Sequence, residues 1–283
     1  MKKRIWRFLV TGKNDAFFNM ALDEALLFLC LEQKLPPTLR LYQWEPRSVS
    51  FGYSQKIKEV VDLNFCKNKK IDAVRRITGG RAVLHGDDLT YSLCSSKEYY
   101  KILGEGVKNT YEKISLAFLF ALEYFHIKGS WIKVERKNKN EFKEYKMKAS
   151  CFLSSSRYEI AVNGKKLIGS AQRRFKDGFI QQGSILLRRG EVDLAELSPH
   201  KEQEEMIKKS LKKSSIPLEE VMGKDRQDAS QFSLDKLTFA IKAGFEKFFS
   251  VKLEQKELTK KELDLTEKLL KKKYLCSDWN LRC

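Results

Sequence analysis

The sequence predicts an α+β fold: a mixed β-sheet flanked by helices, followed by a helical C-terminal part. Three observations predict it. Strand-like and helix-like segments mix up to about Pro199, turn signals separate them, and beyond that point helical apolar spacing takes over. The 283 residues suit one large domain with an appendage, read as a core over 1–198 and a helical extension over 199–283 packed on it. A hydrophobic content of 42% is ample for a packed core and too high for a disordered chain.

Taken in order, Ile5 to Val10 reads as a strand, and Asp15 to Glu32 carries helical spacing with Asn14 or Asp15 as N-cap. Thr38 to Trp44 and Ser48 to Tyr53 are β-rich runs separated by the turn Glu45-Pro46-Arg47. Asp62 caps a short helix ending in Lys67 to Lys70. Ala73 to Ile77 is a strand meeting Thr78-Gly79-Gly80, and Leu89 to Cys94 is the next. Gly106 to Phe125 is a long amphipathic helix. Arg157 to Val162 and Lys165 to Ala171 form a hairpin around Asn163-Gly164, the favoured type I′ pair. Phe179 to Leu187 is another strand. Helices follow over Glu202 to Lys213 and Ser233 to Ser250, and a last one opens with the capping box Thr259-x-x-Glu262.

Composition narrows the class of function. The longest apolar run, Ala25 to Leu31, is far too short to span a membrane, and the N-terminus carries no signal-peptide pattern, so a cytoplasmic location is expected. Cysteines at 30, 66, 94, 151, 276 and 283 show no CxxC, which favours free thiols over a disulfide framework. With only His85, His126 and His200 beside them, no metal site is expected. The net charge of +18 invites a nucleic-acid reading. Much of it, however, lies in mixed runs: Lys133 to Lys148 has seven basic and three acidic residues, Lys252 to Lys273 eight and five. Such runs mark solvated faces, and a basic surface steers acidic proteins as well as nucleic acids. The aromatics fall on core periods rather than on a stacking face, so no nucleic-acid role is expected.

Three segments carry the chemistry. In Arg75-Arg76-Ile77-Thr78-Gly79-Gly80-Arg81-Ala82-Val83-Leu84-His85, two arginines end a strand and a Gly pair lets backbone turn against a ligand; a plain hairpin with surface arginines has the same pattern. Lys165-Lys166-Leu167-Ile168-Gly169-Ser170-Ala171-Gln172-Arg173-Arg174 sets a lysine before a run of small residues. Gln181-Gln182-Gly183-Ser184-Ile185-Leu186-Leu187 repeats the small-residue theme. His85 is open to two roles, substrate-side base or structural histidine; His126 and His200 read as structural.

Together these segments, with Asn19-Met20-Ala21-Leu22-Asp23-Glu24 and Pro37-Thr38-Leu39-Arg40-Leu41-Tyr42-Gln43-Trp44, resemble the catalytic domain of lipoate-protein ligases and lipoyl/octanoyl transferases. The resemblance runs along nearly the whole chain and implies a fold of the biotin/lipoate protein ligase type. The ending Lys273-Tyr274 with Asp278-Trp279-Asn280, and the segment Cys151-Phe152-Leu153-Ser154-Ser155-Ser156-Arg157-Tyr158-Glu159, resemble one branch, the LipM-type octanoyltransferases, which use a cysteine and no ATP. The sequence departs from that pattern at Ser155, where a proline is usual, and in the unusually basic 133–148 run.

The resemblance implies that Cys151 takes octanoyl from octanoyl-acyl carrier protein and passes it to a lysine of a lipoyl-accepting domain, the glycine cleavage H protein. It implies Arg76, Thr78, Gly79, Gly80, Arg81, Ala82, Val83, His85, Gly169, Ser170, Ala171, Gln182, Gly183 and Ser184 as substrate-binding residues. No cofactor is implied. Chemistry points the same way: thioester-to-thioester transfer is nearly isoenergetic, and a thiolate is strongly nucleophilic. Lys166 would lower the Cys151 pKa and face the developing oxyanion. Cys94 shares a strand face with Thr90 and Ser92 and could point into the same pocket, but Cys151 lies among small polar residues near Lys146 and Lys148. The rivals are an ATP-dependent lipoate ligase, with Arg76 and Arg81 to Leu84 on the nucleotide, and an amidotransferase between lipoyl domains.

Overall fold

The computed structural model describes residues 4–131, 159–223 and 233–282. In chain order the elements are β1 (Arg4–Asn14), α1 (Ala16–Gln33), β2 (Thr38–Trp44), β3 (Ser48–Phe51), α2 (Leu63–Asn68), β4 (Asp72–Arg75), β5 (Val83–His85), β6 (Asp88–Ser96), α3 (Tyr100–Leu103) and α4 (Gly106–Glu123). Then come β7 (Ser130–Trp131), β8 (Ile160–Val162), β9 (Lys165–Phe175), β10 (Gly178–Leu186), α5 (Glu204–Ser214), α6 (Leu218–Met222), α7 (Leu234–Phe249), β11 (Val251–Gln255), α8 (Lys260–Leu269) and α9 (Ser277–Asn280). The 133–148 run and Cys151 to Tyr158 lie outside the described residues.

Local signals act where they stand. The Asp15 carboxylate accepts from the Phe18 N–H at 2.8 Å and starts α1. Asn163 and Gly164 both adopt positive φ, 51° and 73°, as a type I′ turn requires between β8 and β9. Thr259 and Glu262 close the expected capping box on α8.

Among the described residues the strands form an eight-stranded sheet in the order β11-β1-β2-β6-β10-β9-β8-β7 and a three-stranded sheet β4-β3-β5. The large sheet is mixed: β1 runs parallel to β11 and β2, while β2, β6, β10 and β9 pair antiparallel. Its central strands are buried on both faces, and the two-residue period sorts their side chains. Leu39, Leu41, Tyr91 and Leu93 join Ile114 and Phe118 of α4 and Ile241 and Phe245 of α7 in one core. Tyr42, Trp44, Cys94 and Ile180 join Met20, Ala21 and Leu27 of α1 in a second. A third core, around Val49, Phe51, Val60 and Ile71, lies under the small sheet.

The part beyond Pro199 is largely helical, but it also supplies β11, which pairs with β1 at the sheet edge. Val251 and Leu253 are buried there and Lys252 exposed, so Val-Lys-Leu-Glu alternates as a half-buried strand should. No helix among the described residues is long and apolar enough to cross a membrane.

Candidate active site

The small sheet meets the large one at a cleft whose empty space, counting the part open to solvent, is about 370 Å³. Register explains its lining. Gln182 faces Ala171, Gly183 faces Ser170 and Ser184 faces Gly169 across β10 and β9, so the two small-residue segments become cross-strand neighbours. The small sheet adds Ser50, Val83 and His85, and Met20, Tyr42, Trp44, Arg76 and Thr90 complete the wall. Nine of the residues expected to bind substrate therefore line one cavity: Arg76, Val83, His85, Gly169, Ser170, Ala171, Gln182, Gly183 and Ser184.

The others build its frame. Arg76 donates from Nη1 to the Ser50 carbonyl (3.0 Å) and Oγ (3.1 Å), and from Nη2 to the carbonyls of Gly79 (2.8 Å) and Arg81 (2.7 Å). The Gly79-Gly80-Arg81 turn thus wraps the guanidinium. Gly80 sits at φ +87°, and a Cβ there would stand 2.9 Å from Arg76 Nη2, so glycine is required twice over. Thr78 Oγ1 donates to Gln182 Oε1 at 2.7 Å and ties the turn to β10. Ala82 is fully buried in the core under the small sheet. Gly52, which sequence reasoning passed over, lies beneath the turn: a Cβ on it would fall 2.0 Å from the Gly80 carbonyl oxygen.

Two buried carboxylates organise the wall, and neither was singled out from sequence. Asp23 of α1 accepts from Arg40 Nη1 (2.7 Å), Ser92 Oγ (2.7 Å), Tyr42 Oη (2.8 Å) and Gln182 Nε2 (2.7 Å). Arg40 also donates to the Asn19 carbonyl and side-chain oxygens and to Thr11 Oγ1. Burial, with Asp23 beside it, pushes the Tyr42 phenol well above its ordinary value and keeps it a donor. Asp88 Oδ2 accepts from His85 Nδ1 (2.8 Å), Thr90 Oγ1 (2.8 Å) and Ser184 Oγ (2.7 Å), and Oδ1 from the Gly86 N–H (3.1 Å). Burial alone would push the Asp88 carboxyl up. His85 and the hydrogen bonds from His85, Ser184 and Gly86 outweigh it, and the group sits below its ordinary value. His85 Nε2 meets Ser50 Oγ at 2.8 Å, and its ring stacks on Trp44 with centroids 4.0 Å apart.

Lys166 is 1% exposed, and its Nζ lies 2.6 Å from Glu159 Oε1, itself 3% exposed. The lysine stem crosses Gly169, where a Cβ would fall 2.7 Å from Lys166 Cε. The small-residue run after Lys166 thus leaves room for that lysine beside the cleft. Cys151 lies outside the described residues. Cys94 does share a face with Thr90 and Ser92, but it packs with Cys30 in the α1 core and does not line the cleft. Cys66 is buried too, and burial, with Asp62 beside it, pushes its thiol up to about 11.

The chain end is tied to the same frame. Arg75, the first of the arginine pair, donates to the carbonyls of Gly52, Tyr53 and Gln55 and to those of Trp279, Asn280 and Arg282. Trp279 Nε1 returns a bond to the Arg75 carbonyl at 2.9 Å, and Lys273 and Tyr274 both reach Glu24 of α1. Adjacent arginines therefore face opposite ways, Arg75 to the tail and Arg76 to the glycine turn.

Comparison with known proteins agrees with this architecture. Residues 15–246 match the lipoyl protein ligase A/B catalytic domain family. Octanoyltransferase LipM of Bacillus subtilis (strain 168) is 35% identical over 294 residues, covering 100% of both chains. Octanoyltransferase LipM of Brevibacillus brevis is 36% identical, covering 98% of this chain and 99% of its own. Among solved structures, a bipartite lipoate protein ligase from Thermoplasma acidophilum, studied with its E2 lipoyl domain, superposes with a TM-score of 0.74 at 23% identity, covering 98% of this chain and 96% of that one. Lipoate-protein ligase A bound with ATP gives 0.72 at 23% identity, with 99% of each chain covered. The cleft, its glycine turn and the full-length match together mean that this chain belongs to the lipoyl protein ligase A/B catalytic domain family, in its octanoyltransferase branch, and is an acyltransferase of protein lipoylation.

Proposed function

We propose that the protein moves octanoyl from octanoyl-acyl carrier protein to Cys151 and from that thioester to a lysine of a lipoyl-accepting protein, the glycine cleavage H protein. The observation that carries this reading is Lys166: a buried ammonium, anchored on Glu159 and lying over Gly169 beside the cleft. A cation there favours a thiolate over a thiol and meets the oxyanion that forms when the thioester carbonyl is attacked. The segment that follows Cys151 in sequence ends at Glu159, the partner of Lys166, so the chain enters the site eight residues after the nucleophile. Cys30, Cys66 and Cys94 are all buried in cores, which supports Cys151 further.

An ATP-dependent reading asks Arg76 to hold a nucleotide. Four of its five N–H donors already bind Ser50, Gly79 and Arg81, which weakens that alternative. The +18 charge suits acidic carrier and acceptor proteins in a cytoplasmic setting. Intact mass of the protein mixed with octanoyl-acyl carrier protein, without ATP, tests the reading. One octanoyl adduct is expected on the wild type and on Cys94→Ala, and none on Cys151→Ala. Normal ATP-free transfer by Cys151→Ala would overturn the covalent route.

A further inference from the structure

Beside the glycine turn, cations alternate with aromatic rings. The guanidinium carbons of Arg173 and Arg282 lie 4.1 and 3.9 Å from the centre of the Tyr53 ring. Arg282 also lies 4.3 Å from the centre of the Trp279 ring, and Lys273 Nζ lies 3.7 Å from it. Lys273 is paired with Glu24. Among the described residues, Arg173 and Arg282 bond no carboxylate: Arg173 donates to the Ile77 carbonyl at 3.0 Å and Arg282 to the Tyr53 carbonyl at 2.8 Å. Hydrogen bonds from Arg282 and Arg173, with their charges, hold the Tyr53 phenol below its ordinary value. Two guanidiniums gathered on one half-buried ring, neither bound to a carboxylate, are set to meet an anion from outside.

The arginine pair stands at the rim of the cleft. Arg173 follows Ala171 by two residues on β9, and Ala171 lines the cleft. Arg173 holds the Ile77 carbonyl just ahead of Thr78-Gly79-Gly80, and the Tyr53 N–H donates to the Thr78 carbonyl at 2.8 Å, so both residues flank the turn. Gly80 is exposed there, and a Cβ on it would fall 3.4 Å from that of Ala171. Arg282 reaches the rim because buried Arg75 binds the carbonyls of Trp279, Asn280 and Arg282 itself. The tail clasp thus delivers a cation beside the site.

We propose that Arg173, Arg282 and Tyr53 form the docking site for acidic residues that flank the target lysine of the acceptor protein. The inference rests on the lysine acceptor proposed above. Reach selects the acceptor over the acyl donor. A lysine amine hangs on four methylenes, so the acceptor backbone must come down to the rim before the amine can enter the cleft. An acyl carrier protein presents its thioester on a long pantetheine arm, and its folded surface can stay farther back. Guanidiniums pair with carboxylates through two parallel hydrogen bonds, and arginine and tyrosine are among the side chains that carry most binding energy at protein interfaces. Stacking on Tyr53 orders both arginines in advance, so less side-chain freedom is lost when the partner binds. The net charge of +18 supplies attraction at long range, and this pair supplies the contact.

Steady-state kinetics test the assignment, with octanoyl-acyl carrier protein as donor and the glycine cleavage H protein lacking its lipoyl group as acceptor, each varied in turn. The enzymes are wild type, the double variant Arg173→Glu/Arg282→Glu, and Lys252→Glu, an exposed lysine on β11 at the other edge of the large sheet. Melting is recorded for each. The double variant should raise KM for the acceptor by about tenfold or more at low salt, and KM for the donor by less than about twofold. The difference should shrink as salt rises. Transfer to hydroxylamine, an acceptor with no protein surface, should proceed at the wild-type rate. Lys252→Glu should leave both KM values near wild type. Arg282→Gln, which gives up one bond to a carbonyl, should shift the acceptor KM the same way by about threefold, and decides the matter where the double variant melts early. A donor KM raised as much as the acceptor KM, an unchanged acceptor KM, or an equal loss with hydroxylamine would overturn the docking site. A wild type that octanoylates no lysine of the acceptor overturns the proposed function and this inference together. A wild type that does so, with rim variants matching it, overturns the inference alone.

Discussion

Asp23 and Asp88 sit on the same side of the large sheet, both buried and both accepting four hydrogen bonds, yet they serve different ends. The charge opposite Asp23 is Arg40, which is fully buried and cannot lose its proton. The group opposite Asp88 is His85, which can gain or lose one. A permanent pair fixes geometry: Asp23 and Arg40 set the position of Gln182, and Gln182 holds Thr78 and the glycine turn. The ionisability of the partner, more than the number of hydrogen bonds, separates the two networks.

Breaking each network should show that contrast. Asp23→Asn leaves the Arg40 guanidinium buried without its counter-charge, and should destabilise the protein by about 3–5 kcal/mol in denaturant titrations. Asp88→Asn faces a histidine that can simply be neutral, so the expected loss is smaller, about 1–3 kcal/mol. A stability loss for Asp88→Asn as large as that for Asp23→Asn would erase the distinction.

Acid sharpens the comparison. The Asp88 carboxyl is held below its ordinary value in the folded state, so the unfolded chain takes up its proton first as pH falls. Its contribution is therefore full above the unfolded carboxylate pKa of about 3.9, and is lost as pH drops through the lower folded value. Asp88→Asn should flatten the fall in stability measured below that point. An unchanged acid slope would contradict the depressed ionisation. The smallest effect belongs to Thr78→Val, which removes one hydrogen bond to Gln182 and should lower stability by about 1 kcal/mol. It should weaken substrate binding more than it alters folding, and kinetics showing a changed kcat with constant KM would argue otherwise.

How much of this was legible in the sequence follows from the range of each interaction. The Asp15 cap, the Asn163-Gly164 turn and the Thr259–Glu262 box lie within a few residues of their partners and were all readable. The small-residue runs of β9 and β10 were readable from sequence either as ligand-facing or as packing between strands, and the register brings both to one cleft. The partnerships were not. Asp23 meets Arg40 17 residues away and Gln182 159 residues away, and Arg75 meets Trp279 across 204. Charged residues inside an apolar helix, Asp23 and Glu24, gave a signal without an address. Ser50, Asp88 and Glu159 carried no signal beyond their neighbours. Strand β11 was hidden by the basic run around it, though Val251 and Leu253 alternate with charged residues.

The central claim is that octanoyl passes through an enzyme thioester on its way to lysine. The direct measurement is a single turnover: isolate the octanoyl-enzyme, add the lipoyl-accepting protein without ATP, and follow both intact masses with time. The adduct should leave the enzyme at the rate at which the acceptor gains one octanoyl group, with Cys151→Ala forming no adduct to begin with. An adduct that persists while the acceptor is modified from fresh octanoyl-acyl carrier protein would show the thioester to be a side product, and would contradict the account.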